Sequence, residues 1–180
     1  MLKICYWLPD SGSVTAGNAS TLNDGAAAVL LGSNKIVERL STKPLGKILA
    51  QSMIGIDPAV MGLGPVSAVE KLLKKLNWTI QDVDLFELNE AFAGQAIACM
   101  DKLKIPEDKC NIHGGAIAIG HPIGASGARI LVTLLYALQK LNKKHGIAAL
   151  CIGGGMSVAV AVECIDRRIH YTEILEARGL

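Results

Sequence analysis

The residues best suited to chemistry lie in a glycine-rich stretch, GGAIAIGHPIGASGAR, at residues 114–129. Its glycines allow the backbone to approach a ligand more closely than a Cβ atom would permit. His121 precedes Pro122, which disfavours the helical conformation and predicts that the histidine lies on an extended loop. A histidine near the start of a helix should be neutral, because the positive helix end disfavours the imidazolium form. A lone histidine is usually structural, but the density of glycines here favours a function.

Cys151 is the second candidate for chemistry, because it lies shortly before Gly153, Gly154 and Gly155 at the end of an apolar run. In α/β proteins, reactive groups occupy strand ends that face a cleft. A free cysteine is more often a small buried hydrophobic residue. Together with His121, however, Cys151 is a candidate for proton transfer.

Two further patterns are weaker. Cys110-x-x-His113 has the spacing of a metal-binding pair, but no second pair accompanies it. Gly115-x-x-x-x-Gly120 resembles a phosphate-binding loop, yet the lysine and hydroxyl residue that should follow are missing. We therefore expect neither a metal nor another cofactor.

Composition excludes several classes of function. The net charge is only +2 and aromatic residues make up 4% of the chain, so nucleic acid is not an expected partner. No apolar run is long enough for a membrane span, and no signal peptide is evident. The five cysteines have no disulfide-like spacing, and Cys5, Cys99 and Cys164 are interpreted as packing or surface thiols. These features predict a cytoplasmic protein.

The first part of the chain contains two predicted strands. The apolar run at residues 24–33, which is bounded by glycines, could be a buried strand or part of a helix, and its length favours the strand. Residues 45–56 form a second, longer apolar run after Pro44. A domain boundary is expected near residue 43, which divides the chain into residues 1–42 and 43–180.

Two predicted helices and one strand follow. Gly64-Pro65 should open the first helix, with proline at a position where its missing N–H costs nothing. Residues 83–88 read as a short strand that leads into Asn89, a good helix N-cap, with Glu90 in the first turn. The buried stripe of this second helix is expected to consist of Phe92, Ala96, Cys99, Met100 and Leu103.

The last part of the chain predicts a buried helix and two strands. Residues 127–141 are apolar nearly all round, which is typical of a central helix, and Ser126 could cap it. Residues 143–146 should end that helix. Residues 147–152 and 156–165 read as strands. The sequence predicts an α/β fold with a mixed five-stranded sheet between layers of helices.

Four sequence blocks, taken together over residues 13–164, resemble the thiolase family in order and spacing. They are NEAF at residues 89–92, the glycine-rich loop at 114–129, CIGGGM at 151–156, and VTAGNAS at 14–20 with NDGAAA at 23–28. The resemblance implies the C-terminal half of a duplicated α/β architecture. Residues 1–42 would be the remnant of the loop region and the end of the N-terminal half.

The resemblance also implies roles for individual residues. His121 and a water held by Asn89 would form an oxyanion hole for the thioester oxygen, and His121 would help to activate a nucleophile. Cys151 would be the acid/base that takes a proton from the methyl carbon of acetyl-CoA. The N–H of Gly153 would donate to a second oxyanion hole. Positions that line the coenzyme A site in the family are matched by Ala16, Ser20, Ala91 and Phe92.

Three features depart from the family pattern. The nucleophile motif, a cysteine followed by Gly-Ser-Gly, does not occur in this sequence. Ser157 stands where the family usually has glycine, and is expected to crowd the cleft. Residues 1–8 do not match. We therefore expect the chain to be inactive alone.

Two hypotheses follow from the resemblance. The first is an acyltransferase that joins two acetyl-CoA molecules into acetoacetyl-CoA and CoA, and catalyses the reverse thiolysis. The alternative is a non-catalytic half-thiolase that binds CoA or pairs with another chain. The expected partners are acyl-CoA and either copies of this chain or a complementary N-terminal thiolase half.

Overall fold

The computed structural model describes residues 12–40 and 43–165. The predictions for residues 1–8 and the role of Cys5 and of the segment 166–180 lie outside the described residues. The strands are β1 (Gly46–Gly55), β2 (Leu85–Leu88), β3 (His145–Ile152) and β4 (Met156–Cys164). The α-helices are α1 (Asn34–Leu40), α2 (Gly64–Leu76), α3 (Ala93–Leu103), α4 (Ala116–Ile119) and α5 (Ser126–Leu141). Short 3-10 helices span Pro58–Leu63, Ile80–Asp82 and Glu107–Lys109.

The four strands form one mixed sheet in the order β1-β4-β3-β2. β4 pairs antiparallel with β1 and with β3, and the latter pair forms a hairpin through three glycines. β2 runs parallel to β3, with Leu88 opposite Ala149. Because these two strands are parallel, the chain leaves both of them at the same edge of the sheet. That edge carries Asn89 and Cys151.

Helices cover both faces of the sheet, which confirms the predicted α/β class. On one face, α2 packs on alternate residues of β3 and β4, such as Ala149 and Ala159, and α3 packs against α2. On the other face, α5 packs on Ala148 and Val162. Alanine and glycine in these strands bring the helices close to the sheet, and a Cβ on Gly146 would lie 2.8 Å from Leu134 of α5.

The predicted strand at residues 24–33 is wrong, so the described sheet has four strands and not five. The segment has no regular secondary structure, and Leu30 and Leu31 are 95% and 69% exposed. A strand requires a neighbour for its backbone hydrogen bonds, and no described strand pairs with this segment. The other four predicted strands are confirmed to within two residues at each end.

Several predictions about helix ends and burial are also wrong. Asn89 and Glu90 precede α3, whose N-cap is Phe92, itself 39% exposed. The predicted helix end at residues 143–146 comes too late: Asn142 already ends α5 in a left-handed conformation, and β3 begins at His145. α5 is not buried all round: it packs on the sheet with one face, and Tyr136 is 54% exposed. Ser126 begins α5 but its side chain does not cap it.

Gly64 and Gly94 provide a matched test of packing between α2 and the sheet. A Cβ on Gly64 would lie 2.7 Å from the Cβ of Ser157, whereas one on Gly94 would meet nothing within 4 Å. We expect Gly64→Ala to lower the free energy of unfolding by about 1–3 kcal/mol, the cost of overpacking. Gly94→Ala should change it by less than about 1 kcal/mol, toward greater stability. Urea denaturation of both variants measures this, and equal effects would contradict the packing.

Candidate active site

His121 is the centre of a hydrogen-bonded chain that links two elements of the fold. Its Nε2 lies 3.3 Å from Nδ2 of Asn89, the residue that follows β2. Its Nδ1 lies 2.6 Å from Oγ of Ser126, the first residue of α5. The Ser126 hydroxyl donates to the carbonyl oxygen of Pro122 at 3.0 Å. The imidazole is therefore held between the end of β2 and the start of α5.

Asn89 is fixed by the sheet rather than by a helix. Its backbone N–H donates to the carbonyl oxygen of Ala149 at 3.0 Å, which continues the parallel β2–β3 ladder. The side chain is 1% exposed, and its Oδ1 has no hydrogen-bond partner among the described residues. A buried amide with an unused acceptor, next to an imidazole, is suited to hold a polar ligand or a water molecule.

Cys151 lies at the same edge of the sheet, two residues beyond Ala149 on β3. Its side chain is 8% exposed. Burial raises the pKa of the thiol, and its own backbone N–H opposes this only partly. The thiol is therefore protonated at rest. Within the described residues, no hydrogen bond joins Cys151 to His121 or Asn89.

The pKa of His121 lies below its usual value. Partial burial is the main cause, and the positive charge of Arg129 adds to it. The direction agrees with the expectation of a neutral imidazole, but the physical cause is different. Desolvation and a nearby guanidinium lower the pKa here, rather than the positive end of a helix. A neutral imidazole can accept a proton near pH 7.

The glycine turn between β3 and β4 leaves open space at the strand end. A Cβ added to Gly153 would meet nothing within 4 Å. Gly154 and Gly155 have φ angles of 82° and 83°, which only glycine adopts at low cost. A Cβ on Gly155 would lie 2.3 Å from the carbonyl oxygen of Ile56, so this glycine is also required sterically.

The four residues predicted to line a CoA site belong to two segments that meet beside Asn89. Both the backbone N–H and the hydroxyl of Ser20 donate to the carbonyl oxygen of Ala91, at 3.0 and 2.9 Å. Ala19 and Phe92 form a β-bridge. Ala16 lies in an exposed turn of the same segment. The N-terminal segment thus rests on the loop before α3.

Glu90 and Asn111 hold the loop after β2 in place, a role that the sequence did not reveal. The amide nitrogen of Asn111 donates to Glu90 at 3.2 Å and to the carbonyl oxygen of Leu88 at 2.8 Å. Glu90 also accepts the backbone N–H of Ile117 at 3.1 Å. A Cβ on Gly115 would collide with the Glu90 carboxylate. The loop that carries His121 is therefore tied to the loop that carries Asn89.

Glu87 and Arg129 form a second feature that was not predicted. Glu87 is 2% exposed in the middle of β2, and its Oε2 lies 3.8 Å from the guanidinium of Arg129 on α5. Burial raises the pKa of Glu87 to about 7; Arg129 opposes the rise and Glu90 adds to it. The sequence contains a signal for this pair, because Glu87 lies inside an apolar strand and a buried acidic residue requires a partner.

Ser157 does not crowd the open side of the glycine turn, contrary to expectation. Its hydroxyl donates to the carbonyl oxygen of Leu150 at 2.7 Å, and the side chain is fully buried against Gly64. Ser157 lies opposite Cys151 in the β3–β4 ladder. Its extra atoms are accommodated because Gly64 has no side chain.

The weaker sequence patterns gain no support from the structure. Cys110 is buried, which raises the pKa of its thiol to about 12, whereas His113 is exposed. Across residues 12–40 and 43–165, no three His, Cys, Asp or Glu side chains cluster as a metal site would require. No helix in the described ranges combines the length and apolarity that a membrane crossing demands.

The fold and the site together correspond to a known class of protein. The profile of the thiolase C-terminal domain matches residues 42–164, and that of the thiolase N-terminal domain matches residues 4–35. The expectation that residues 1–8 do not match the family is therefore wrong from residue 4 onward. The first match covers more than half of the sequence. The chain belongs to the thiolase family. The division into domains at residues 42 and 43 remains a prediction.

Individual relatives are similar over most of the chain. The acetyl-CoA acetyltransferase of Chromobacterium violaceum is 57% identical over 152 residues, which are 84% of this chain and 39% of the relative. The cytosolic acetyl-CoA acetyltransferase of Mus musculus is 52% identical over 159 residues, 88% of this chain and 40% of the relative. The chain thus spans about two fifths of the length of the curated relatives it matches.

Solved structures agree with this family. The acetyl-CoA acetyltransferase of Bacillus anthracis superposes with a TM-score of 0.84 at 45% identity, over 86% of this chain and 39% of that one. Human mitochondrial 3-ketoacyl-CoA thiolase in complex with CoA gives a TM-score of 0.80 at 42% identity, over the same shares.

The raised pKa of Glu87 predicts how stability depends on pH. The folded state retains this proton up to a pKa of about 7, whereas the unfolded chain releases it near the usual glutamate pKa of 4.5. Stability should therefore fall as pH rises through this window, by at most about 1.4 kcal/mol per pH unit. Glu87→Gln should flatten that slope, and Glu70→Gln, at an exposed site on α2, should not. Denaturation at pH values between 4.5 and 7 measures how stability depends on pH. An unchanged slope in Glu87→Gln would contradict the raised pKa of Glu87.

Proposed function

We propose that this chain supplies the proton-transfer half of a thiolase active site. In the assembled enzyme, two acetyl-CoA molecules give acetoacetyl-CoA and CoA, and thiolysis is the reverse reaction. The observation that carries the proposal is the Asn89–His121–Ser126 chain at the edge of the sheet where β3 ends at Cys151. Relatives named acetyl-CoA acetyltransferase support the type of reaction.

His121 and Asn89 act on the thioester oxygen. The buried Oδ1 of Asn89 can accept one hydrogen of a water molecule, whose second hydrogen then points to the substrate oxygen. A donor placed where negative charge develops contributes most to such a reaction. Their separation of 3.3 Å is compatible with action on one oxygen atom.

Cys151 acts as acid before it acts as base. Its raised pKa keeps the thiol protonated at rest, so it can give its proton to the CoA thiolate that leaves in the acylation step. This leaves a thiolate on Cys151, which then removes a proton from the methyl carbon of the second acetyl-CoA. The resulting carbanion attacks the acyl-enzyme thioester, and the N–H of Gly153 donates to the oxygen of that thioester.

The acyl group must rest on a nucleophilic thiol, because the proposed reaction has two half-reactions. The motif of that thiol, a cysteine followed by Gly-Ser-Gly, is absent from this sequence. We infer that the chain acts only after assembly with a complementary N-terminal thiolase half, and that the 180-residue chain alone is inactive. Ala16, Ser20, Ala91 and Phe92 would contact CoA in that assembly.

The alternative is a half-thiolase that pairs with another chain, or binds CoA, without catalysis. An apolar groove of about 320 Å³ favours pairing; it lies between α5, the sheet and the segment that contains Val29 and Leu31. Two neighbouring residues are also exposed: Leu30, between Val29 and Leu31, and Ile123, in the loop before α5. Exposed apolar surface of this kind favours association. Catalysis by the assembled protein decides between the two functions.

Cys151→Ala tests the proposed role of the thiol. In the chain assembled with an N-terminal thiolase half, we expect condensation and thiolysis to slow by about 10²–10⁴, the usual contribution of a positioned acid/base. Cys164→Ala is the matched control, because Cys164 lies at the opposite end of β4 from Ser157, the partner of Cys151. Acetoacetyl-CoA formation is the measurement. Near-normal turnover in Cys151→Ala would refute the role.

A further inference from the structure

The hydrogen bonds around His121 are sufficient to assign its tautomer. The Ser126 hydroxyl has a single hydrogen and two neighbours that could take it, the carbonyl oxygen of Pro122 at 3.0 Å and Nδ1 of His121 at 2.6 Å. If Pro122 takes the hydrogen, Nδ1 must carry a proton and donate it to Ser126 Oγ. If Nδ1 takes it, the imidazole proton must lie on Nε2.

Asn89 distinguishes the two arrangements. The group that faces Nε2 at 3.3 Å is the amide nitrogen of Asn89, which donates and cannot accept. The amide nitrogen can donate to Nε2 only when Nε2 carries a lone pair, as in the first arrangement. In the second arrangement an N–H group of the amide would face the N–H of the imidazole, and the contact would be repulsive.

Turning the Asn89 amide over does not rescue the second arrangement. Oδ1 would then accept from Nε2, but both N–H groups of Nδ2 would move to the place where Oδ1 now has no hydrogen-bond partner. Asn89 is 1% exposed, and buried N–H groups without partners are rarer than carbonyl oxygens with unused lone pairs. The first arrangement leaves one acceptor unused, and the second leaves two donors unpaired.

We propose that Ser126 is a positioning residue that fixes the proton of neutral His121 on Nδ1, so that the ring's lone pair lies on Nε2, where the Asn89 amide donates to it. The hydroxyl acts as a relay, because it accepts from Nδ1 while it donates to Pro122. The distance of 2.6 Å is short for a nitrogen–oxygen hydrogen bond. Ser126 is itself 1% exposed, so water does not compete for this bond.

The consequence for the reaction, which rests on the proposed function, is an order of events. Neutral His121 is first an acceptor: the S–H bond of the nucleophilic thiol breaks, its proton goes to Nε2, and a thiolate remains. His121 is then an imidazolium with a hydrogen on each nitrogen. Nδ1 stays bonded to Ser126, whereas the new hydrogen on Nε2 displaces the 3.3 Å contact with the Asn89 amide nitrogen and makes Nε2 a charged donor to the thioester oxygen.

The tautomer can be measured without any activity assay. Long-range ¹H–¹⁵N correlation spectra of the ¹⁵N-labelled chain distinguish an imidazole protonated on Nδ1 from one protonated on Nε2. The chain has four histidines, and the His121 signals are assigned by their loss in His121→Gln. Above the pKa of His121 we expect Nδ1 to carry the proton. A spectrum with Nε2 protonated in the unsubstituted chain would overturn the proposal, whatever the variants do.

Variants test whether Ser126 is the cause. Ser126→Ala should reduce the fraction of the Nδ1-protonated form, and should lower the pKa of His121 further, because the imidazolium loses an acceptor. Thr133→Ala is the matched control: its hydroxyl donates to the backbone of Arg129 four residues earlier in the same helix, without a bond to His121. Ser126→Thr keeps the hydroxyl and should preserve the tautomer.

The outcomes separate this proposal from the proposed function. Equal tautomer ratios in Ser126→Ala and the unsubstituted chain would overturn the role of Ser126, even if the assembled enzyme is active. A change in Ser126→Ala alone, with Thr133→Ala unaffected, would support it, even if the assembled chain shows no turnover.

Discussion

The parallel pairing of β2 with β3 is the constraint on which the rest of the site depends. It brings together residues that are separated by about sixty positions in the sequence, and Asn89 donates its backbone N–H to Ala149 as the ladder ends. A parallel pair directs both chains out of the same edge of the sheet. The loop with Asn89 and the strand end with Cys151 are therefore neighbours whatever the loops themselves contain.

Polar pairs that are partly buried hold this edge in a fixed geometry. Glu90 and Asn111 tie the loop after β2 to the segment before His121, and Glu87 and Arg129 join β2 to α5 one turn away from Ser126. Groups of this kind are costly to bury, so each must keep its partner in place. The guanidinium of Arg129 also acts on the candidate site, because its positive charge contributes to the lowered pKa of His121.

Much of the fold could be predicted from the sequence, because alternation in β4 and helical spacing in α2 report burial directly. The segment at residues 24–33 could not, since an apolar run does not reveal whether a neighbouring strand exists. Asn89 was misread as an N-cap because its side-chain chemistry suits both a helix start and a polar site. The contact between His121 and Asn89 could be expected only from the family resemblance. The Glu87–Arg129 pair depends on how α5 lies on the sheet, which periodicity does not determine.

We propose that this chain transfers protons and that the acyl group rests on a thiol that a complementary N-terminal thiolase half supplies. The most direct measurement is cleavage of acetoacetyl-CoA by the chain alone and by its mixture with an N-terminal thiolase half, with mass spectrometry to locate the acetyl group. We predict turnover only in the mixture, with acetyl on the thiol of the added half. Robust turnover by the chain alone, with acetyl on one of its five cysteines, would contradict the account.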